Sequence, residues 1–265
     1  MSSDTSQVPG GPARDQTAAQ SGAETTATAE VPSPDGGRSR ASGLWREWIK
    51  PLMILAITML SFRSAVADWN HVPTGSMIPT ILVGDRILVN KLAYDLRLPF
   101  TTVRLAEWST PERGDIVVFL SPVDGKRLVK RVVGLPGDEL SMSGHALVVN
   151  GQRAEYEAPT PDVFDHLPFS ERSHHRFASE GFAEGGEHQI MMSAWRSPAA
   201  SFPLLRVPEG HYFVLGDNRD DSADSRVFGF VPAERILGRA TAVALSVDPA
   251  ERYRPRWGRF FTGLD

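Results

Sequence analysis

Short apolar runs separated by turn signals limit most strongly what this chain can fold into. From residue 72 onward, runs rich in Val, Ile, Leu and Phe are bounded by pairs such as Gly-Asp, Asp-Gly, Pro-Gly and Asn-Gly. The runs cover residues 86–90, 115–120, 127–133, 146–149 and 212–215. Runs this short are typical of strands, and few helical periods compete with them. The sequence therefore predicts a mostly β fold of curved antiparallel sheets.

Changes in composition divide the chain into parts. Residues 1–43 are rich in Ser, Thr, Ala, Gly and Pro and hold almost no large apolar side chain, so we expect a disordered tail. Residues 160–205 interrupt the strand pattern with Pro, His, Ser and Gly, which indicates an insertion or a small subdomain. The full division is a tail at 1–43, an apolar segment at 44–67, a β-rich domain at 68–159 and 206–250, the insertion at 160–205, and a C-terminal tail at 251–265.

An uninterrupted apolar stretch at residues 51–62 lies between Lys50 and Arg63. It is short for a membrane-spanning helix, which needs roughly 20 apolar residues, so a buried core helix and a cleavable signal peptide are alternatives. However, Trp45 and Trp48 suit a membrane interface, and the two flanking cations can reach the headgroups from both ends of the stretch. We therefore expect this segment to be a single transmembrane anchor.

Basic residues before the apolar stretch predict the orientation of the anchor. They are Arg38, Arg40, Arg46 and Lys50. The positive-inside rule then places the N-terminal tail in the cytoplasm and everything after residue 67 on the outer face of the cytoplasmic membrane. Ala65-Val66-Ala67 resembles a small-x-small cleavage site, but about fifty residues precede the stretch, whereas a signal peptide normally begins near residue 1. A retained signal anchor fits better.

Charge and cysteine content exclude several classes of protein. The net charge of −4, with 41% hydrophobic and 23% charged residues, is ordinary for a globular chain and gives no basic excess for a nucleic-acid partner. The chain has no cysteine, which excludes disulfides, thiolate catalysis and Cys-ligated zinc. We expect neither a metal nor a cofactor.

Three motifs stand out from the strand pattern. The first covers residues 72–80 (VPTGSMIPT) and is followed by Gly84-Asp85. The second covers residues 129–138 (VKRVVGLPGD), and the third covers residues 216–226 (GDNRDDSADSR). The third motif lacks the glycine and distal Glu of an EF-hand, so an Asx-stabilised turn is a better structural reading than a calcium loop. Within it, Asp224 and Arg226 can pair, and Ser222 can hold a neighbouring amine.

Ser76 and Lys130 are the candidate reactive residues. Ser76 lies in a Gly/Pro turn, where serine is common for structural reasons, and it needs a base to become a nucleophile. The seven histidines lie outside the three motifs. Lys130 lies within an apolar strand, and alternation puts it on one face with Leu128 and Val132. Burial there would lower its pKa and favour the neutral amine, although an edge-strand lysine that discourages aggregation is the structural alternative.

The three motifs together resemble the bacterial type I signal peptidases. The order T-G-S-M-x-P-T, K-R-V-V-G-L-P-G-D and G-D-N-R-D-D-S-A-D-S-R follows a predicted membrane anchor, and the likeness spans roughly residues 70–247. The resemblance implies that Ser76 is the nucleophile and Lys130 the general base. It also implies that Ser222 is the hydrogen-bond partner of the lysine, with Asp224 and Arg226 bracing the site.

The resemblance extends to oxyanion and substrate-binding residues. It implies an oxyanion hole made by the backbone N–H of Ser76 and the hydroxyl of Thr74, where many members have serine. It implies shallow pockets for small side chains, which would accept Ala-x-Ala. Their residues would be Val72, Met77, Ile81 and Val129.

The expected function is a membrane-bound serine endopeptidase that removes signal peptides. Its partners would be exported preproteins and membrane lipid, with secretion machinery a further candidate. A self-cleaving regulator with the same dyad is an alternative, but such proteins carry a DNA-binding domain where this chain has a tail and an anchor. An inactive membrane-tethered β module that binds peptides is another alternative, and the intact Ser76, Lys130 and Ser222 argue against it. The related ER-type enzymes use histidine as the base.

Overall fold

The computed structural model describes residues 45–65, 67–98, 101, 103–167, 169–195 and 200–264. The chain divides into two compact units, residues 1–51 and 52–265. The predicted disordered tail at 1–43 lies outside the described residues, as do residues 44 and 66 of the predicted anchor.

The apolar segment is helical. A π-helical turn at Trp45–Ile49 is followed directly by helix α1 at Lys50–Ala65. Among the described residues, we find no helix that combines the length and the apolar character needed to cross a membrane.

Strands make up most of the remaining described chain. The first ten, β1–β10, are Ala67–His71, Asp85–Asn90, Asp95–Arg97, Arg104–Glu107, Ile116–Leu120, Arg127–Gly134, Glu139–Ser143, Ala146–Val149, Gln152–Arg153 and Glu155–Glu157. The next eight, β11–β18, are His175–Gly181, Glu187–Ser193, Phe202–Arg206, His211–Leu215, Val231–Pro232, Ile236–Asp248, Arg254–Pro255 and Thr262–Gly263. Helices α2 at Phe169–His174 and α3 at Ser225–Phe228 are short, as are 3₁₀ turns at Pro161–Phe164, Ala233–Arg235 and Trp257–Arg259.

The strands pair antiparallel, which confirms the prediction of a mostly β, antiparallel fold. The main sheet has the order β1-β2-β16-β5-β6-β14-β15, and β17 and β18 also pair with β16. Register shifts along β16 mark β-bulges, which bend a strand and increase its twist. Smaller sheets have the orders β10-β11-β12, β13-β7-β8-β9 and β3-β4.

Alternating side chains build the apolar core on both faces of the main sheet. In β5, Ile116 and Val118 join one buried cluster, whereas Val117 and Phe119 join another. This division follows from the two-residue period of a strand. A third cluster lies around Leu140 and the smaller β13-β7-β8-β9 sheet.

Two regions complete the β structure beyond the predicted domain. Strands β11 and β12 form a hairpin within residues 160–205, where sequence analysis predicted an insertion or subdomain. The predicted C-terminal tail differs from expectation, because β17 and β18 pair with β16 and Leu264 is buried in the first core cluster. These last residues pack because their apolar and backbone groups complete the edge of β16.

Gly134, at the end of β6, provides a test of how tightly the core is packed. A Cβ at this position would overlap Leu140 and lie 2.9 Å from the Cβ of Phe213. We expect Gly134→Ala to lower the free energy of unfolding by about 1–3 kcal/mol, because overpacking forces the core to shift. Gly181→Ala is the matched control, since its Cβ would meet nothing closer than 4.0 Å. Thermal melts of the detergent-solubilised variants measure both, and equal melting temperatures would contradict this packing argument.

Candidate active site

Ser76 lies in the connection between β1 and β2. The ends of this loop are joined by backbone hydrogen bonds, from the N–H of Val72 to the carbonyl of Asp85 at 3.0 Å and from the N–H of Gly84 to the carbonyl of Val72 at 3.1 Å. The side chain of Met77 is buried, which fixes the loop to the core on one side. The serine is therefore presented on a short, closed loop whose apolar neighbours point inward.

Lys130 reaches this loop from the middle of β6. It is paired across the sheet with Val117 and is only 3% exposed. Its Nζ lies 2.6 Å from Oγ of Ser76 and also donates to the carbonyl of Val129 at 2.9 Å. The structure thus brings together the two residues that the sequence singled out as nucleophile and base.

Burial of the Lys130 amine is the main electrostatic feature of the site. Loss of hydration disfavours the charged form and lowers the pKa of Lys130 to about 8. The carboxylates of Asp224 and Asp217 oppose this shift, and the guanidinium of Arg226 adds to it. A substantial fraction of the amine is therefore neutral near physiological pH, and only the neutral form can accept a proton.

Asp224 and Arg226 form the ion pair that the sequence predicted. The guanidinium donates from Nη2 to Oδ2 of Asp224 at 2.7 Å and from Nε to Oδ1 at 2.8 Å. The same carboxylate accepts the N–H of Gly216 at 3.0 Å and caps the start of α3 by accepting the N–H of Arg226. Asp224 therefore ties both ends of the third motif together.

Thr74 and Ser222 are the two remaining supporting residues, and they differ in burial. Thr74 is exposed and lies within the loop, two residues before Ser76. Ser222 was expected to hydrogen-bond with Lys130, but its Oγ is buried and makes no hydrogen bond within the described residues. The lysine amine is instead directed to Ser76 and to a carbonyl of its own strand.

The sequence did not reveal a buried ion pair directly behind the dyad. Arg131 donates from Nε and Nη2 to the two carboxylate oxygens of Asp217, at 2.9 and 2.8 Å, and Thr80 donates to the same carboxylate at 2.5 Å. Although burial opposes the shift, the guanidinium holds the pKa of Asp217 below its usual range. The sequence signal for this pair was Arg131, a second charged residue next to Lys130 in an apolar strand. Its partner, Asp217, could not be identified from the local sequence pattern.

The described site contains no histidine bound to Ser76 and no group of metal-ligating side chains. All seven histidines lie in the described chain, and no hydrogen bond joins any of them to Ser76 there. Within the same residues, no three or more His, Asp or Glu side chains are grouped to hold a metal ion. The arrangement is a serine hydroxyl facing a desolvated lysine amine.

Comparison with known proteins agrees with this geometry. The family described as signal peptidase, peptidase S26, matches residues 45–245. Signal peptidase I of Pseudomonas fluorescens is 36% identical over 226 residues, which cover 80% of this chain and 77% of the relative. Signal peptidase I of Pseudomonas aeruginosa is 33% identical with the same coverage, and a probable signal peptidase I-2 of Synechocystis is 32% identical over 78% of this chain and 80% of the relative.

The chain belongs to the signal peptidase family. The resemblance found in the three motifs is thereby confirmed over most of the chain. The match extends well beyond the motifs, because it begins at residue 45 and ends at residue 245, within β16.

The four residues expected to form the pockets of this signal peptidase lie in one place. Val72, Met77 and Ile81 are buried in the same core cluster, and Val129 packs against it as a partly buried side chain. These side chains come from the Ser76 loop and from the strand of Lys130. They form one apolar cluster, to which both the Ser76 loop and the strand of Lys130 contribute.

Gly216 tests how closely this signal peptidase site is assembled. A Cβ at this position would overlap Oγ of Ser222 and the carbonyl oxygen of Ser76. We expect Gly216→Ala to displace the nucleophile and lower kcat by roughly 100-fold, since small misplacements of reacting groups cost about this much. The rate of preprotein cleavage measures the effect. Gly181→Ala is the control, because its Cβ would meet nothing closer than 4.0 Å. A Gly216→Ala enzyme with wild-type kcat would show that this contact is not needed.

Proposed function

We propose that this chain is a membrane-bound serine endopeptidase that removes signal peptides from exported preproteins, with Ser76 as nucleophile and neutral Lys130 as general base. Family membership supports the reaction, and the 2.6 Å contact between Nζ and Oγ is the observation that carries the mechanism. A serine hydroxyl needs a base within hydrogen-bond reach, and the lysine amine is in that position.

The chemistry follows from this contact. Neutral Lys130 takes the hydroxyl proton as Oγ of Ser76 bonds to the scissile carbonyl carbon, and the resulting ammonium returns that proton to the leaving amine as the C–N bond breaks. Water then attacks the acyl carbon while the Lys130 amine takes its proton. The bond between the acyl carbon and Oγ breaks, and the ammonium returns that proton to Oγ, which restores the serine and the neutral lysine. The backbone N–H of Ser76 and the hydroxyl of Thr74 are the proposed donors to the oxyanion.

Two open strand edges support binding of an extended substrate. Within the described chain, β1 pairs only with β2, and residues 127–130 of β6 pair only with β5, because β14 begins its pairing at Arg131. The two edges are close enough for Arg127 to donate to Oδ1 of Asn70 at 2.7 Å. A preprotein segment can add to such an edge by β-augmentation, with backbone hydrogen bonds fixing its path past Ser76.

The apolar surface beside the dyad supports a small-x-small preference. In an extended peptide, alternate side chains point to the same side, so the first and third residues before the cut face one wall. We place that wall at Val129, which is partly buried and packs against the core cluster that contains Val72, Met77 and Ile81. Alanine fits such a surface, whereas a bulky side chain would displace the peptide from Ser76.

Residues 44–67 are proposed to anchor the enzyme by a single pass, with the N-terminus in the cytoplasm and the catalytic domain outside. The support is the surface of α1. Its seven exposed large apolar side chains, each at least 45% exposed, are Leu52, Met53, Ile54, Leu55, Ile57, Met59 and Leu60. The 16-residue helix spans about 24 Å, which cations at its ends can extend toward the roughly 30 Å of a bilayer core. Such an anchor holds the site where preproteins emerge.

Substitutions of the dyad test the proposed mechanism. We expect Ser76→Ala and Lys130→Ala each to abolish preprotein cleavage, and the double variant to be little worse, because nucleophile and base act as a unit. Lys130→Arg is also expected to be inactive, since a guanidinium keeps its proton. Thermal melts serve as the folding control. Clear cleavage by folded Lys130→Arg would end the general-base assignment.

The lowered pKa of Lys130 sets the pH dependence. Because the neutral amine is the active form, kcat/KM should rise about tenfold per pH unit well below pH 8 and level off above it. Asp224→Asn removes a carboxylate that raises the pKa of Lys130. It also leaves Arg226, which lowers the pKa of Lys130, without its partner carboxylate. Because both changes lower the pKa of Lys130, the rising limb of the pH profile should shift to lower pH. Initial rates on a peptide with an Ala-x-Ala site measure both profiles. A rate that is constant from pH 6 to pH 9 would contradict the role of the amine.

Membrane fractionation tests the anchor. The full chain should stay with the membrane through an alkaline carbonate wash, and protease added outside spheroplasts should digest the catalytic domain. Replacing Leu52, Leu55 and Leu60 with glutamine should release the chain, because the apolar surface that binds lipid is lost. Release of the wild-type chain by carbonate would refute the spanning anchor.

A further inference from the structure

Asn218 holds the backbone on both sides of the nucleophile. Its backbone N–H donates to the carbonyl of Ser76 at 3.1 Å, and its side-chain Nδ2 donates to the carbonyl of Gly75 at 3.2 Å. The residue is only 3% exposed, so water competes little for these bonds. Because a carbonyl can only accept, the amide must present its nitrogen to the loop.

The bond to Gly75 also fixes a group that the reaction uses. The carbonyl of Gly75 and the N–H of Ser76 belong to one planar trans peptide unit, so they point in opposite directions. The N–H of Ile78 donates to the same carbonyl at 3.1 Å, so Ile78 and Asn218 hold it together. Holding the carbonyl toward Asn218 therefore turns the N–H of Ser76 away from it. We propose that Asn218 is a positioning residue that orients the Ser76 N–H as an oxyanion donor, an inference that rests on the proposed function.

A strand outside the three motifs holds Asn218 in place. In β12, the N–H of Met191 donates to the carbonyl of Asp217, and the carbonyl of Met191 accepts the N–H of Arg219, both at 2.8 Å. These bonds form an isolated parallel bridge opposite Asn218. The side chain of Met191 is fully buried and packs with Ile78 of the nucleophile loop. The β11–β12 hairpin thus supports the loop and the segment that positions it.

The neighbours of Asn218 fix the segment in register. Asp217 is bound to Arg131 of β6, and Arg219 forms a buried ion pair with Glu180 of β11 through both carboxylate oxygens. Three consecutive side chains therefore reach three different elements. A shift of the segment by one residue would break two buried ion pairs and leave four buried charges unpaired, which is strongly unfavourable. This assigns a role to the hairpin of residues 160–205.

Steady-state kinetics of Asn218→Leu test the proposal on full-length enzyme in detergent. Leucine keeps the branched shape of the side chain and the backbone N–H but removes the donor to Gly75. We expect kcat to fall roughly 10- to 100-fold, less than or comparable to the loss of a whole oxyanion donor, with KM within about twofold of wild type. The rising limb of the pH profile should not move, because the dyad itself is intact. Asn218→Asp, which sets a carboxylate against the carbonyl, should lose at least as much.

Controls separate positioning from stability. Tyr94→Phe also removes a buried hydrogen bond, from its hydroxyl to Asp115 at 2.6 Å, between two residues outside the three motifs, and should keep wild-type kcat. If Asn218→Leu does not fold, Asn218→Ser, which is too short to reach Gly75, replaces it.

Three results for Asn218→Leu would overturn the proposal. They are a kcat within twofold of wild type, a loss of kcat that the unfolded fraction in a thermal melt explains, and a shift of the rising limb of the pH profile. If Ser76→Ala and Lys130→Arg are inactive while Asn218→Leu keeps wild-type kcat, this inference is wrong and the proposed function is unaffected.

Discussion

Removal of the Lys130 amine from water is the condition on which the rest of the site depends. A hydrated lysine keeps its proton far above neutral pH and cannot take one from a serine hydroxyl. Burial in β6 lowers the pKa to about 8, and this burial is maintained by the closed loop of Ser76 and the apolar cluster that includes Val129. The proposed chemistry is therefore a property of core packing as much as of the two reactive groups.

Buried ion pairs around Ser76 and Lys130 fix the geometry of the site more than they stabilise the fold. Asp224 and Asp217 each oppose the shift of the lysine, and each is held by its own arginine, Arg226 or Arg131. The attraction within such a buried pair offsets its desolvation cost only in part or barely exceeds it, so the pair adds little to the free energy of folding. The bidentate pair of Asp217 with Arg131 instead fixes the third motif against β6, whereas the pair of Asp224 with Arg226 holds the motif itself together. Both carboxylates are thereby kept at set positions from the amine.

Strand prediction succeeded where a short apolar run lies between turn signals, and it missed the longest strand. The run at 146–149 coincides with β8, and the run at 86–90 differs from β2 by one residue. The longest strand, β16, was not predicted, although it lies within the main sheet and pairs with four others. Its bulges, between Ala240 and Ala242 and between Val243 and Leu245, shift the buried face and so remove the alternation that would identify it.

The sequence by itself determined the β class and the family and predicted the two reactive residues, because motif order and apolar runs are local features of the chain. Only the tertiary structure decided which groups support them. Ser76 and Lys130 are 54 positions apart, and Asn218 meets Gly75 across 143 positions. Likewise, the pairing of Arg131 with Asp217 and the contact of β12 with the third motif depend on strand order and register. Those are set by packing among distant segments, so no local pattern encodes them.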